Sequence, residues 1–254
     1  MNYFVEGIQG SGKSTMVAKL SKEHPDYAVF HEGDYSPIEL AWCAYLTEAQ
    51  YTEVIEKYEQ IKEDIEKKTV QEGDRKVVMY TQIITDVPGF HKHMEQYEIY
   101  NGRLASDAFE EIVLKRFSKW KDDKQIFECS LFQNIIENQI LYLEMSDEQI
   151  IEFYKKVAKT LEGKSYRLVY LQVDDIRATE EVIRKERSDA QGNELWFPLM
   201  IRYIEESPYG KRNHLIGMDG LVSHLEHRIA LEKTIIDKLF AGCTTIRERK
   251  IKTS

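Results

Sequence analysis

Cysteine is scarce in this chain, positive charge is outnumbered, and no long apolar run occurs. Three cysteines, Cys43, Cys129 and Cys243, are spread over 254 residues with no C-x-x-C pair among them. An odd, widely spaced set suits free thiols in a reducing compartment, so a cytoplasmic protein is expected. Lys and Arg number 35 against 44 Asp and Glu, a formal net charge of −9. That balance argues against a nucleic-acid surface, which needs clustered cations, but leaves room for a small basic pocket. No apolar run reaches the length of about 18 residues that a membrane span needs, and the N-terminus lacks a basic-then-apolar leader. Neither a membrane partner nor a secretion signal is expected.

What remains is ordinary for a globular chain: 42% hydrophobic and 31% charged residues. The length suits one large domain, 1–254, that carries an insertion. Apolar runs bounded by turns predict strands over 2–6, 27–31, 125–129, 167–173 and 244–251. Helical periodicity predicts helices over 13–23, 37–66, 104–121, 131–142, 147–163, 175–188, 195–206 and 219–240. Strands separated by helices imply right-handed crossovers and an α/β fold, a mainly parallel five-stranded sheet flanked by helices. Between the second and third strands lie about 95 residues, where a crossover needs about a dozen. The charged run EAQYTEVIEKYEQIKEDIEKK is helix-prone, and EGDR beyond it predicts the turn of a short hairpin. Residues 48–100 read as material packed beside the sheet, and 48–120 as a largely helical insertion with that hairpin. A solvated helical pair without a chemical role is the plainer reading of the same charges.

One short motif carries most of the chemistry. Gly7-Ile8-Gln9-Gly10-Ser11-Gly12-Lys13-Ser14 satisfies G-x-x-x-x-G-K-[ST], with Thr15 beyond it. An apolar strand precedes it and an amphipathic helix with Met16, Val17 and Leu20 follows, the context that a phosphate loop requires. The glycines let backbone N–H groups curl around an anion, and the helix N-terminus adds partial positive charge. Lys13 is expected to reach the β- and γ-phosphates of a triphosphate, and the Ser14 hydroxyl to ligate Mg²⁺.

Three classes of protein use such a loop: switches, motor-type ATPases and kinases. Asp86-Val87-Pro88-Gly89 copies the D-x-x-G of GTPases, but no N-K-x-D follows, so it reads as a turn. A kinase needs a carboxylate at a strand's C-terminal end, a metal anchor and cations around the transferred group. The second predicted strand runs into Glu32-Gly33-Asp34, and the third into Glu128-Cys129-Ser130. Glu32 and Asp34 are both candidate bases, with Asp34 able to aid Mg²⁺ through water, and Glu128 is a candidate outer-sphere metal ligand. After RLVYLQV come Arg177, Arg184, Lys185 and Arg187, on a helix that dissolves into a polar loop. Arg184 and Arg187 lie three apart, spacing that suits a lid closing on phosphate oxygens. Pairing with Glu180, Glu181 and Glu186 on a solvated helix is the alternative.

The order of these parts resembles the deoxynucleoside kinase and thymidylate kinase group of P-loop kinases. IFECSLFQNIIENQI is similar to that group's E-R-S stretch, with Glu128 and Ser130 on matching positions and Cys129 in place of the arginine. LMIRYIEESPYGKRNHLI resembles the helix after the lid. The resemblance covers the core strands, not 48–120. It implies a three-layer P-loop NTPase fold, with Glu32 as the base that takes the acceptor's proton. The family's tryptophan after that glutamate has Trp42 as its counterpart, ten residues on, and Gln82 is a candidate base reader.

Other residues have plainer readings. His31 suits a structural role, and His91-x-His93 and His224-x-x-His227 lack a third ligand for zinc. Tyr35, Trp42 and Tyr45 have the spacing of a core-facing helix stripe, with Trp42 expected in the core and Tyr35 open to stacking on a substrate base. The expected protein is a kinase that binds ATP and Mg²⁺ on Gly7, Gln9, Gly10, Ser11, Gly12, Lys13, Ser14 and Thr15. Its catalytic residues would be Lys13, Glu32, Arg184 and Arg187, with Ser14 and Glu128 at the metal. The acceptor would be a nucleoside or nucleoside monophosphate. The motif does not decide ATP over GTP, and a homodimer is compatible with the class. The rival is a slowly hydrolysing regulatory ATPase or GTPase that acts through a partner and the insertion.

Overall fold

The computed structural model describes residues 1–121, 123–189, 191–194 and 196–249. The chain begins with β1 (Asn2–Gly7), α1 (Lys13–Glu23) and β2 (Ala28–Phe30). Next come β3 (Ala44–Thr47), α2 (Glu48–Lys57), α3 (Lys62–Lys67), β4 (Thr69–Glu72), β5 (Arg75–Val78), α4 (Phe90–Met94) and α5 (Ser106–Lys119). The remainder holds β6 (Gln125–Glu128), α6 (Gln133–Glu137), α7 (Asp147–Thr160), β7 (Tyr166–Val173) and α8 (Ile176–Glu186). It ends with α9 (Trp196–Glu206), α10 (Pro208–Arg212), α11 (Gly217–Ile235) and β8 (Thr244–Arg249). These form two compact units, Met1–Val29 with Lys121–Ser254, and Phe30–Trp120.

The first unit is α/β, with a five-stranded sheet in the order β2-β6-β1-β7-β8. β1 pairs in parallel with β6 and β7, and β7 with β8. All five predicted strands exist, four with one end or both shifted by a residue, and 250–251 of the fifth lie outside the described residues. Side-chain alternation divides them between two faces. Val5, Ile126, Val169 and Leu171 pack with Val17 and Leu20 of α1 on one face. Phe4 stacks on Phe127 at 5.3 Å on the other, where Phe132 meets Tyr154, Tyr170 and Phe240. Burial on both faces is why the inner strands β1, β6 and β7 read as nearly continuous apolar runs, while the edge strands β2 and β8 are more exposed. Helix starts follow local capping: Ser146 and Gln149 form a reciprocal capping box for α7, and the Asp175 carboxylate accepts from Ala178 N at 2.9 Å. Among the described residues no helix is long and apolar enough to cross a membrane.

The second unit departs from expectation at its start. A helix over 37–66 is expected, yet 37–43 is a turn-rich segment and 44–47 is strand β3. The apolar spacing there is that of a strand whose Ala44 and Leu46 are buried opposite β5. Trp42 interrupts any helix with φ +62. The Thr47 side chain, boxed with Gln50, then starts α2. The EGDR hairpin is present, β4 pairing antiparallel with β5 around Gly73-Asp74, and β3 adds a third strand on the far side of β5. The unit thus reaches back to Phe30, before the expected start at 48. Its interior is built by Leu46, Val54, Tyr58, Ile65, Val78, Phe90 and Met94, all buried.

Glu39 lies in this unit's interior, where its carboxylate accepts from Ala41 N at 2.6 Å. Burial, only partly offset by hydrogen bonds from Tyr100 and Ala41, pushes the group up to about 8 from 4.5. The folded chain therefore holds a proton that the unfolded chain has released, and stability falls as pH rises from 4.5 towards 8. Glu39→Gln is expected to remove that part of the decline while keeping the Ala41 bond. Denaturant midpoints across this pH window check it, and parallel curves for the two proteins would contradict it.

Candidate functional site

In the first unit, β1 ends at Gly7 and α1 begins at Lys13, so the loop between them faces the helix's N-terminus. Two glycines are required by close packing. A Cβ on Gly7 would sit 2.4 Å from the Leu171 carbonyl oxygen and 2.8 Å from Ser11 Oγ. On Gly10 it would sit 2.2 Å from Ile183 Cδ1 of α8. Lys13 is buried and folds back along the loop, donating to Gly7 O at 3.0 Å and Ile8 O at 2.7 Å. Gln9 and Ser11 are buried, and Ser11 Oγ has no hydrogen-bond partner among the described residues. Ser14 and Thr15 are exposed on the first turn of α1. The register Val5↔Glu128 brings the end of β6 beside this turn, and Ser14 Oγ donates to Glu128 Oε1 at 2.7 Å. The structure therefore joins Ser14 to Glu128, two residues 114 apart in sequence.

Beneath the loop lies a buried charge network of which the sequence reading had only one member, as part of a histidine pair. Arg228 of α11 is fully buried; it donates to Glu137, lies 3.1 Å from Glu232 Oε1, and reaches Gly7 O at 3.5 Å. His224 meets Glu137 Oε2 at 2.7 Å, and Tyr170 donates to Glu232 Oε2 at 2.6 Å. Burial would raise Glu137, but His224 and Arg228 hold it down to about 2. Glu232 shares the same guanidinium, yet burial raises it. Glu6, on β1, accepts from Leu131 N at 2.6 Å and Gln133 N at 3.3 Å, and burial pushes it up to about 7. The spacing His224, Arg228, Glu232 puts three polar groups on the otherwise apolar buried face of α11, a signal that periodicity carries.

The arginines expected in a lid, Arg184 and Arg187, contact residues of their own segment. Arg184 Nε donates to Glu194 at 2.7 Å, Nη1 lies 3.5 Å from Glu181, and the guanidinium sits 5.0 Å from the Phe197 ring. Arg187 covers the Trp196 ring at 4.4 Å. Of the three expected carboxylate partners, only Glu181 is among these contacts. Glu194, across a bridge between Ser188 and Glu194, is the nearer one.

Glu32, Asp34, Trp42 and Gln82 belong to the second unit. Asp34 is committed to its turn: Oδ2 accepts from His31 N at 2.9 Å and Oδ1 from Gln82 Nε2 at 2.9 Å. Gln82 also donates to Gly33 O at 3.0 Å and accepts from Lys68 at 2.9 Å, so its amide organises this turn. Trp42, expected in the core, is exposed, and its Nε1 donates to Glu32 Oε1 at 3.1 Å. Positive φ at a bulky residue is strained, and here the strain aims the indole at Glu32. Tyr35 donates to Glu72 at 3.2 Å and lies under the Arg116 guanidinium at 5.9 Å, while Arg75 covers Tyr45 at 5.4 Å. The DVPG stretch leads into α4 through Gly89, as a turn. His91 bonds Ile83 O at 3.0 Å and His227 bonds Asp147 at 2.8 Å.

The chain matches no protein-family model and no curated protein sequence.

Proposed function

We propose that this protein is a P-loop phosphotransferase of three-layer NTPase fold that moves the γ-phosphoryl group of ATP to a nucleoside or nucleoside monophosphate. The observation that carries the reading is the 2.7 Å bond from Ser14 to Glu128, set beside Lys13 at a helix N-terminus. Mg²⁺ is held through one or two carboxylates plus substrate phosphates, so this hydroxyl and carboxylate fit it. The loop suits a triphosphate, because it leads into the N-terminus of α1 beside the buried Lys13, and Ser11 Oγ has no hydrogen-bond partner among the described residues. When bound, the metal would neutralise charge on the β- and γ-phosphates.

The chain's own residues then have distinct tasks. Backbone N–H groups of 8–15 orient the phosphates, and Lys13 supplies a point charge. Glu32 takes the acceptor proton, with Trp42 fixing its carboxylate. The turn bonds of Asp34 favour Glu32 over Asp34 as the base. Arg184 and Arg187 would exchange Glu194 and Trp196 for phosphate oxygens as the lid closes. The absence of disulfides among the described residues, where Cys43 and Cys129 are buried thiols, supports a cytoplasmic setting.

ADP release measured across nucleosides and nucleoside monophosphates tests the reading. Acceptor-stimulated turnover is expected, and Glu32→Gln is expected to lower it by about 10²–10⁴-fold, the contribution of a positioned base. Hydrolysis that no acceptor stimulates would overturn the kinase and favour the regulatory ATPase. Full turnover in Glu32→Gln would remove that residue's role alone.

A further inference from the structure

Helix α8 brings to the phosphate loop one charged side chain that none of these roles uses. Its Thr179 and Ile183 are the atoms against which Gly10 packs, and Glu180, next to Thr179, is fully buried. Neither carboxylate oxygen of Glu180 has a hydrogen-bond partner among the described residues. The charges acting on it come from four places: Arg228 of α11, Arg187 at the end of its own helix and Lys13 of α1 attract it, and Glu137 of α6 repels it. Burial outweighs those attractions and pushes the carboxyl up to about 7. A carboxylate without hydrogen bonds in a buried site costs stability.

Two of these cations are ones a polyphosphate on the loop would engage, Lys13 of the motif and Arg187 of the proposed lid. Arg228 lies beneath the loop and touches the Gly7 carbonyl. An ionised Glu180 and a polyphosphate are therefore rival anions for one set of positive charges in a poorly solvated place, where like charges interact strongly. Protonation of Glu180 removes the rivalry. We propose that Glu180 is a proton-operated gate on the phosphate loop: ionised, it serves as the internal anion for Lys13, Arg228 and Arg187, and a polyphosphate binds with uptake of one proton from solvent onto its carboxylate. This rests on the reading of residues 7–15 as a polyphosphate site.

The linkage has a definite sign. Below the folded pKa the gate already holds its proton and does not oppose binding; above it, each further rise in pH weakens binding. MgATP is the probe; its terminal phosphate titrates near about pH 6 or below, equally for both proteins, so the comparison with Glu180→Gln removes that contribution. Wild-type affinity is expected to fall about tenfold between roughly pH 6 and pH 8.5, while Glu180→Gln changes less than about twofold. The variant should bind about tenfold more tightly than wild type at the higher pH and equally at the lower. Glu6, also pushed up to about 7, is present in both proteins, so the difference between them isolates Glu180. Calorimetry on wild-type protein in two buffers of different ionisation enthalpy gives a measurement that does not depend on the variant's folding. Net proton uptake near pH 8 is expected, and none would overturn the gate. Parallel pH profiles for wild type and Glu180→Gln, with binding that still requires Lys13, would overturn the gate and leave the loop reading standing. MgATP binding that is absent, or equal in Lys13→Ala, would overturn the loop reading and the gate with it.

Discussion

MgATP is expected to stabilise this protein, and Lys13→Ala to abolish that stabilisation. A ligand at about 100 times its Kd stabilises the folded state by about 2.7 kcal/mol, which for a chain of this size raises Tm by roughly 5–10 °C. In Lys13→Ala the shift should fall to about zero. The reason is geometric as well as electrostatic. Lys13 is buried, and its ammonium is held at the loop by the Gly7 and Ile8 carbonyls, 3.0 and 2.7 Å away. Its charge is thus fixed where phosphate oxygens would meet the backbone N–H groups. Alanine removes that charge and both bonds, so the variant's own Tm without ligand is the baseline. Thermal scans with and without MgATP check the prediction, and an equal shift in the variant would overturn the phosphate-loop assignment.

The second large effect concerns stability. Arg228→Met is expected to destabilise the fold by about 3–5 kcal/mol, because it leaves Glu137 and Glu232 buried without their shared guanidinium. Methionine keeps most of the apolar volume, so the loss reports mainly the uncompensated charge. Glu137 bears the larger part, since it is the group held ionised, down to about 2, by His224 and Arg228. Adding Glu137→Gln to Arg228→Met should therefore recover part of the loss, a coupling that neighbouring residues in one network display. Urea unfolding at constant m-value measures both changes. A loss below about 1 kcal/mol for Arg228→Met would mean that the network does not depend on this arginine.

The central strands β1, β6 and β7 were legible because each is buried on both faces, and a run such as RLVYLQV has no other comfortable place in a folded chain. Helices α7 and α8 were legible for the same local reason, amphipathic spacing behind a capping Ser146 or Asp175. Residues 37–47 were not. Their apolar positions satisfy helical spacing nearly as well as strand alternation, and only pairing with β5, from 28 or more residues further on, selects the strand. Trp42 failed as a core residue for a related reason. Its indole is large and apolar, but the backbone at φ +62 turns it outward to Glu32. No local pattern encodes that turn.

What the sequence determined by itself is the loop and the frame around it: Gly7 to Ser14 between an apolar strand and an amphipathic helix, in an alternating α/β chain. That information is local, written in glycine spacing and side-chain periodicity. The tertiary structure decided which distant charges meet there. Glu128 reaches Ser14 through the β1–β6 register, Arg228 reaches Gly7 from α11, and Glu180 arrives among Lys13, Arg187 and Arg228 because α8 packs on Gly10. Electrostatic partners depend on separation in space, and at 114 or 221 residues apart no sequence period records it.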